Sequence, residues 1–157
     1  MKIILISIGI MREVPLKELA ERYIGRIPHY MPFEAISIPD VTLSKNISAE
    51  TRKIKEGELI MSRVNPGDFV ALMDERGKEL TSRELAEFIE KKSVTLPRNL
   101  IFVIGGPYGF SQQVYDRADL KMSLSKLTFT HEMARVLTLE QIYRAMTILR
   151  GEPYHHD

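Results

Sequence analysis

The chain has 157 residues, 44% of them hydrophobic and 27% charged, with a formal net charge of +1, the size and balance of a single globular domain over residues 1–157. It contains no cysteine, which excludes a disulfide framework, a thiolate nucleophile and a cysteine-based metal site, and accords with the reducing cytoplasm. A charge so close to zero also excludes a purely electrostatic grip on nucleic acid, so an RNA substrate needs locally placed cations or a second docking surface.

The apolar run Ile3 to Ile8 falls far short of the roughly 18 residues that span a bilayer, so Lys2 to Gly9 reads as a strand and not as a signal or membrane segment. Pro15 to Ile27 carries Leu16, Leu19, Ala20, Tyr23, Ile24 and Ile27 at helical spacing. A second strand, Phe33 to Ile38, lies between Pro32 and Pro39, and the polar stretch Asp40 to Asn46 reads as an exposed loop. Ser48 is placed to cap a helix running to about Val64, which Asn65-Pro66-Gly67 stops. Asp68 to Met73 is a third strand. Thr81 and Glu84 form a capping box before a helix through Phe88 and Ile89, and Asn99 to Ile104 is a fourth strand ended by Gly105 and Gly106. A short helix from about Ser111, a fifth strand near Lys121 to Ser125 and a long helix from about His131 to Arg150 complete the order.

Continuously apolar strands alternating with helices define an α/β fold with a mostly parallel sheet covered on both faces. The last helix departs from the usual pattern. Its apolar residues, from Met133 to Leu149, occupy most of the circumference, whereas a surface helix shows a stripe of about 100°. Two arrangements satisfy such a helix: an isologous dimer, or burial at the centre of one chain.

In open α/β sheets, ligands bind beyond the carboxyl ends of the strands, which selects Leu72 to Gly77, Gly105 to Phe110 and Leu124 to Thr130. Gly105-Gly106-Pro107-Tyr108-Gly109 lets a ligand approach the main chain closely, yet it matches neither the dinucleotide fingerprint nor a P-loop, and as a turn alone it proves nothing. A second cluster comprises His131, Arg135, Glu140, Arg144, Arg150, Tyr154, His155 and His156. Histidine suits proton transfer near neutrality, and tyrosine and arginine stabilise developing negative charge. From the residues alone, Glu140 and Arg144 are equally a surface i,i+4 ion pair, and His155-His156 a frayed end. No spacing points to a metal site, and none is expected.

Four segments in one order carry a resemblance: Val70-Ala71-Leu72 with Gly77-Lys78; Phe102-Val103-Ile104-Gly105-Gly106-Pro107-Tyr108-Gly109; Ser123 to His131; and Arg135-Val136-Leu137 through Glu140-Gln141-Ile142-Tyr143-Arg144-Ala145. With Met31-Pro32-Phe33-Glu34, Ile38-Pro39 and Arg150-Gly151-Glu152-Pro153-Tyr154-His155, they make the whole chain resemble the large-subunit rRNA pseudouridine methyltransferases of the SPOUT superfamily. One departure is Thr130, where many relatives have proline. The resemblance implies a trefoil knot in the carboxyl half, S-adenosyl-L-methionine as cofactor, and a homodimer through the last helix. Its substrate would be N3 of a pseudouridine in 23S rRNA of the assembled ribosome. Cofactor contacts carry over to Leu72, Gly105, Leu124, Ser125, Lys126, Leu127, Thr128 and Phe129. For the reaction, His155 or Tyr154 is expected to assist proton removal, with Arg144 or Arg135 holding RNA or the developing oxyanion. Rival readings are a SPOUT enzyme with another RNA target, or a ribosome-associated binding module without turnover.

Overall fold

The computed structural model describes residues 1–41, 47–95 and 98–156. Five strands form one sheet in the order β2-β1-β4-β3-β5, all pairs parallel: β1 (Ile3–Ile8), β2 (Phe33–Ile38), β3 (Phe69–Glu79), β4 (Leu100–Ile104) and β5 (Leu120–Ser123). The helices between and after them are α1 (Val14–Arg26), α2 (Ala49–Met61), α3 (Ser82–Thr95), α4 (Gln112–Arg117) and α5 (His131–Leu149), with a 3-10 turn at Ile27–His29. Five residues of the expected Asp40 to Asn46 loop, 42–46, lie outside the described residues.

Because successive strand residues point to opposite faces, each central strand feeds two cores. Ile3 and Leu5 of β1, Ala71 of β3, and Leu100 and Phe102 of β4 pack with residues of α1, α3 and α5. Ile4, Ile6, Val70, Leu72, Ile101 and Val103 face Ile60 of α2 and Val114 of α4. Helices therefore cover both faces, as the apolar strands require.

The helix starts follow their caps. Ser48 accepts from the Thr51 amide at 3.1 Å, and the Thr81 and Glu84 side chains each accept from the other's amide at 3.1 and 2.7 Å, a reciprocal capping box. Thr130, the departure from the proline of many relatives, caps α5 by accepting from the Met133 amide. In a single chain, α5 already packs against α1 and α3, which buries Val136, Leu139, Ile142, Ala145 and Met146. Met133 and Leu149 remain exposed.

Strand β3 differs from expectation. It does not end at Met73 but continues to Glu79; its pairing with β5 breaks after Met73 and resumes at Lys78, opposite the same Met122. The four residues Asp74 to Gly77 are thus thrown outward. Gly77 makes the return possible: a Cβ there would stand 2.5 Å from the main chain of Lys121 and Met122, closer than packed atoms approach.

Candidate functional site at the carboxyl edge of the sheet

Three segments meet beyond the carboxyl ends of β3, β4 and β5 and enclose a cavity of about 690 Å³. One wall is the Asp74 to Arg76 excursion, the second is Gly105 to Phe110, and the third runs from Ser123 through Thr130 to the first turn of α5. A neighbouring cavity of about 400 Å³ reaches between α3 and α5, and Met73, Ser123, Leu124 and Phe129 line both. These volumes and mixed linings are those of small-molecule sites.

Local chemistry holds the walls. Ser123 Oγ donates to the Ser125 carbonyl at 2.8 Å, and Ser125 Oγ accepts from the Leu127 amide at 3.0 Å, which turns the loop and leaves Leu127 71% exposed at the rim. Thr128 Oγ1 donates to Glu75 Oε2 at 3.0 Å, tying that loop to the β3 excursion. On the other side Tyr115 donates to Asp74 Oδ2 at 2.6 Å. Burial, and then this bond to a carboxylate, raise the Tyr115 phenol to about 12, so it stays protonated and keeps donating.

Of the expected cofactor contacts, Gly105, Leu124, Ser125, Leu127, Thr128 and Phe129 all line the larger cavity. Lys126 sits on the same loop but is exposed and belongs to neither lining. Leu72 is fully buried in the core against α2 and α4 and lines neither cavity. Its side chain points to the opposite face, and its neighbour Met73 lines both cavities instead, because adjacent strand residues alternate faces. Asp74, Glu75 and Arg76 fall in the strand-end segment Leu72 to Gly77 that the sheet argument selects, although the resemblance carries no cofactor contact over to them. Gly105 has a packing role as well: a Cβ there would meet the Phe110 ring at 2.9 Å.

The second expected group forms on the far part of α5. Arg144 donates to Glu140 Oε1 through Nε and Nη2 at 3.0 and 2.6 Å, Tyr154 donates to the same oxygen at 3.1 Å, and Arg144 Nη1 stands 3.2 Å from His155 Nδ1. Tyr154 also packs edge-on to Tyr143, and its hydroxyl lies 3.5 Å from that of Tyr23. Glu152 accepts from the Tyr30 hydroxyl at 2.7 Å. The segment after α5 is therefore folded back and held, which removes the frayed-end reading, and Glu140–Arg144 is the half-buried hub of a network instead of a bare surface pair.

Two consequences concern protons. Burial first, then Tyr23 and Glu140, push the Tyr154 phenol well above its ordinary value, so it keeps its proton and donates a hydrogen bond to Glu140. A guanidinium N–H can only donate, so His155 Nδ1 accepts from Arg144, and a neutral His155 carries its proton on Nε2.

Arg135 is not part of this group. It is 5% exposed and donates to the carbonyls of Ile8 and Gly9 at 3.3 and 2.7 Å and to Ser37 Oγ at 3.5 Å. One turn earlier, Glu132 Oε1 accepts the Arg12 and Glu13 amides at 2.8 and 3.0 Å. The start of α5 thus grips the main chain that follows β1, and in this chain Arg135 is committed to that task. Nor do the Arg144 network and the cavity meet within one chain. The α5 residues that line the larger cavity end at Ala134, ten positions and about 15 Å of helix before Arg144, and none of Glu140, Arg144, Tyr154 and His155 lines either cavity.

A parallel sheet that carries a glycine-rich turn and two further loops at its carboxyl edge defines an α/β protein with a cavity of small-molecule size at the strand ends. The chain matches the family described as "Predicted SPOUT methyltransferase" over residues 1–155 and belongs to that family. It is 52% identical over 157 residues, all of both chains, to a protein of Parabacteroides distasonis named "Ribosomal RNA large subunit methyltransferase H". Proteins with the same name from Christiangramia forsetii, 51% identical over 99% of both chains, and Bacteroides fragilis, 50% identical over all of both, are similarly close. Among the described residues, no helix is long and apolar enough to cross a membrane, and no three His, Cys, Asp or Glu side chains converge as a metal-binding group.

Proposed function

We propose that this chain is an S-adenosyl-L-methionine-dependent methyltransferase that modifies N3 of a pseudouridine in 23S rRNA of the assembled ribosome, working in the cytoplasm as a homodimer. The observation that carries the reading is the cavity of about 690 Å³ formed by three strand-end segments, in a member of a methyltransferase family. Cavity and cofactor suit each other. Main-chain groups of Gly105 and its loop offer hydrogen bonds, Leu124, Leu127 and Phe129 offer apolar walls for an adenine, and the carboxylates of Asp74 and Glu75 favour a positively charged sulfur. Leu72 contributes through its main chain, and Lys126 from the loop's outer side. The trefoil knot implied by the resemblance would make 105–110 and 124–130 its loops.

The cofactor supplies a methyl group on a sulfonium, already a good electrophile, so the protein's task is alignment and the supply of a nucleophile. N3 of pseudouridine carries a proton, and its removal places charge on the flanking carbonyl oxygens. His155 takes that proton at Nδ1 once substrate draws Arg144 off it; the N3–H bond breaks, an Nδ1–H bond forms, and Arg144, still held by Glu140, faces the developing oxyanion. Tyr154 keeps its proton and orients Glu140. Arg135 acts at a distance, by fixing the chain after β1.

No residue of this group lines either cavity of its own chain, and about 15 Å of helix lies between Ala134 and Arg144, which supports a composite site: the cavity of one protomer completed by the Tyr154 and His155 segment of the other. The exposed Met133 and Leu149 of α5 are candidates for the dimer surface. Two experiments test the function. Calorimetry should detect S-adenosylmethionine binding to the purified protein, and mass mapping of 23S rRNA from a deletion strain should lack one methyl group on a pseudouridine. Unaltered rRNA together with intact cofactor binding would favour another RNA target.

A further inference from the structure

Under the glycine-rich loop lies a carboxylate that the reaction does not use. Glu56 of α2 is 2% exposed; its Oε1 accepts from Arg52 Nε at 3.1 Å, and its Oε2 is buried with no hydrogen-bond partner among the described residues. Burial raises its pKa and Arg52 opposes that shift. An unsatisfied buried carboxylate oxygen is costly, and one that persists calls for a compensating role. The loop supplies the reason for its position. A Cβ on Gly106 would stand 2.7 Å from Oε2 and 2.9 Å from Oε1, so the main chain of the loop rests directly on the carboxylate, with a Gly106 Cα hydrogen directed at it. Arg52 completes the brace: it reaches Asp40 Oδ1 at 3.3 Å and lies 5.7 Å from the centre of the Tyr108 ring, on the loop's far side. Next along α2, Gly57 has no space for a Cβ, which would fall 2.4 Å from Ser111 Oγ at the start of α4. Helix α2 is thereby pressed against both ends of the segment 105–111.

We propose that Glu56 is a positioning residue for the cofactor loop: Oε2 accepts a main-chain amide of Gly106 or Tyr108 when the loop settles around its ligand, and Arg52 holds the carboxylate in place for that bond. The loop contains three glycines in five residues and can adjust by the small rotation this needs. Among the described residues Oε2 has no partner, so a bond formed there when the ligand binds strengthens binding. This inference rests on the proposal that the 105–109 loop holds S-adenosylmethionine.

Glu56→Gln tests it. Two donors, Arg52 on one side and the loop amide on the other, need an acceptor at each end of the side chain; a carboxylate has both, whereas an amide satisfies one and faces the other with its own NH2. Calorimetry with S-adenosylmethionine on wild type and variant should give about a tenfold loss of affinity in Glu56→Gln, with KM for the cofactor raised in proportion and kcat at saturating cofactor changed far less. Its Tm should stay close to wild type, because the glutamine oxygen still accepts from Arg52, which is part-exposed and also keeps Asp40, while the desolvation cost of a buried carboxylate is removed. A purely structural role would instead lower Tm and leave affinity unaltered, and that result overturns the proposal, as does unaltered affinity at unaltered Tm. Should Glu56→Gln fail to fold, Gly106→Ala probes the same contact from the loop and should also lose affinity; unchanged affinity there overturns the proposal equally. Wild-type protein that fails to bind the cofactor would remove the underlying reading and this inference together, whereas a binding wild type and an equally binding variant remove this inference alone.

Discussion

The carboxyl edge of the sheet and the far part of α5 are built from opposite materials. The edge is a cavity walled by the glycine-rich main chain, apolar side chains and the polar Asp74 to Arg76 excursion, with bonds such as Thr128 to Glu75 shaping its loops. Around Arg144 on the far part of α5, partnered side chains are dense: Tyr23, Glu140, Tyr143, Arg144, Tyr154 and His155 satisfy or pack on one another. The first is suited to receiving a ligand and the second to presenting protons and charge. Separating them within one chain, by about 15 Å of helix from Ala134 to Arg144, means that a defect in either should leave the other intact.

Substitutions can break that comparison, and the largest effect is expected in the cavity. Leu124→Arg places a long cation in the wall shared by both cavities, where it fills space and repels a sulfonium. S-adenosylmethionine affinity should fall at least about 100-fold with a near-normal Tm, since Leu124 is only half buried. His155→Ala should do the reverse: affinity within a few fold of wild type in calorimetry, and single-turnover methyl transfer slowed about 100-fold or more. Glu140→Ala removes the acceptor shared by Arg144 and Tyr154 and should cost about 2 kcal/mol in urea unfolding while also slowing transfer. Thr130→Ala deletes the cap of α5 and should cost about 1 kcal/mol.

The smallest effect depends on pH and sharpens the role of the first turn of α5. The Glu13 amide foremost, with the Arg12 amide, holds the Glu132 carboxyl below its usual range. A depressed carboxyl contributes its stability fully above the unfolded-state pKa and loses it as pH falls through the folded one. The difference in unfolding midpoint between wild type and Glu132→Gln should therefore be full at pH 7 and close on acidification through that range. A pH-independent difference would show that charge has no part in the grip on the β1–α1 turn.

How far sequence led differs between the two regions for a physical reason. The alternation of apolar strands and amphipathic helices, the Thr81–Glu84 capping box and the strand-end position of the site are local patterns, visible in consecutive residues. The return of β3 is not: only the approach of Lys121 and Met122 reveals why residue 77 is glycine. Leu72 and Met73 differ only in which face of the sheet they meet, and a one-residue shift of phase reverses that. Arg135 looked like a free cation because its acceptors, the carbonyls of Ile8 and Gly9, are main-chain groups more than 120 positions away. Tyr23 and Tyr143 read as ordinary helix-core residues, and nothing near them in sequence announced that Tyr154 would fold back onto them.

The most direct test of the division between cavity and terminal segment uses two broken chains in one dimer. Leu124→Arg and His155→Ala chains with different tags would be coexpressed, the mixed dimer isolated, and methyl transfer to assembled ribosomes measured. If each site joins the cavity of one protomer to the terminal segment of the other, one site carries both defects and the other none, so about half of wild-type activity should return. A mixed dimer as inactive as its parents would place cavity and terminal segment in the same chain and contradict the account.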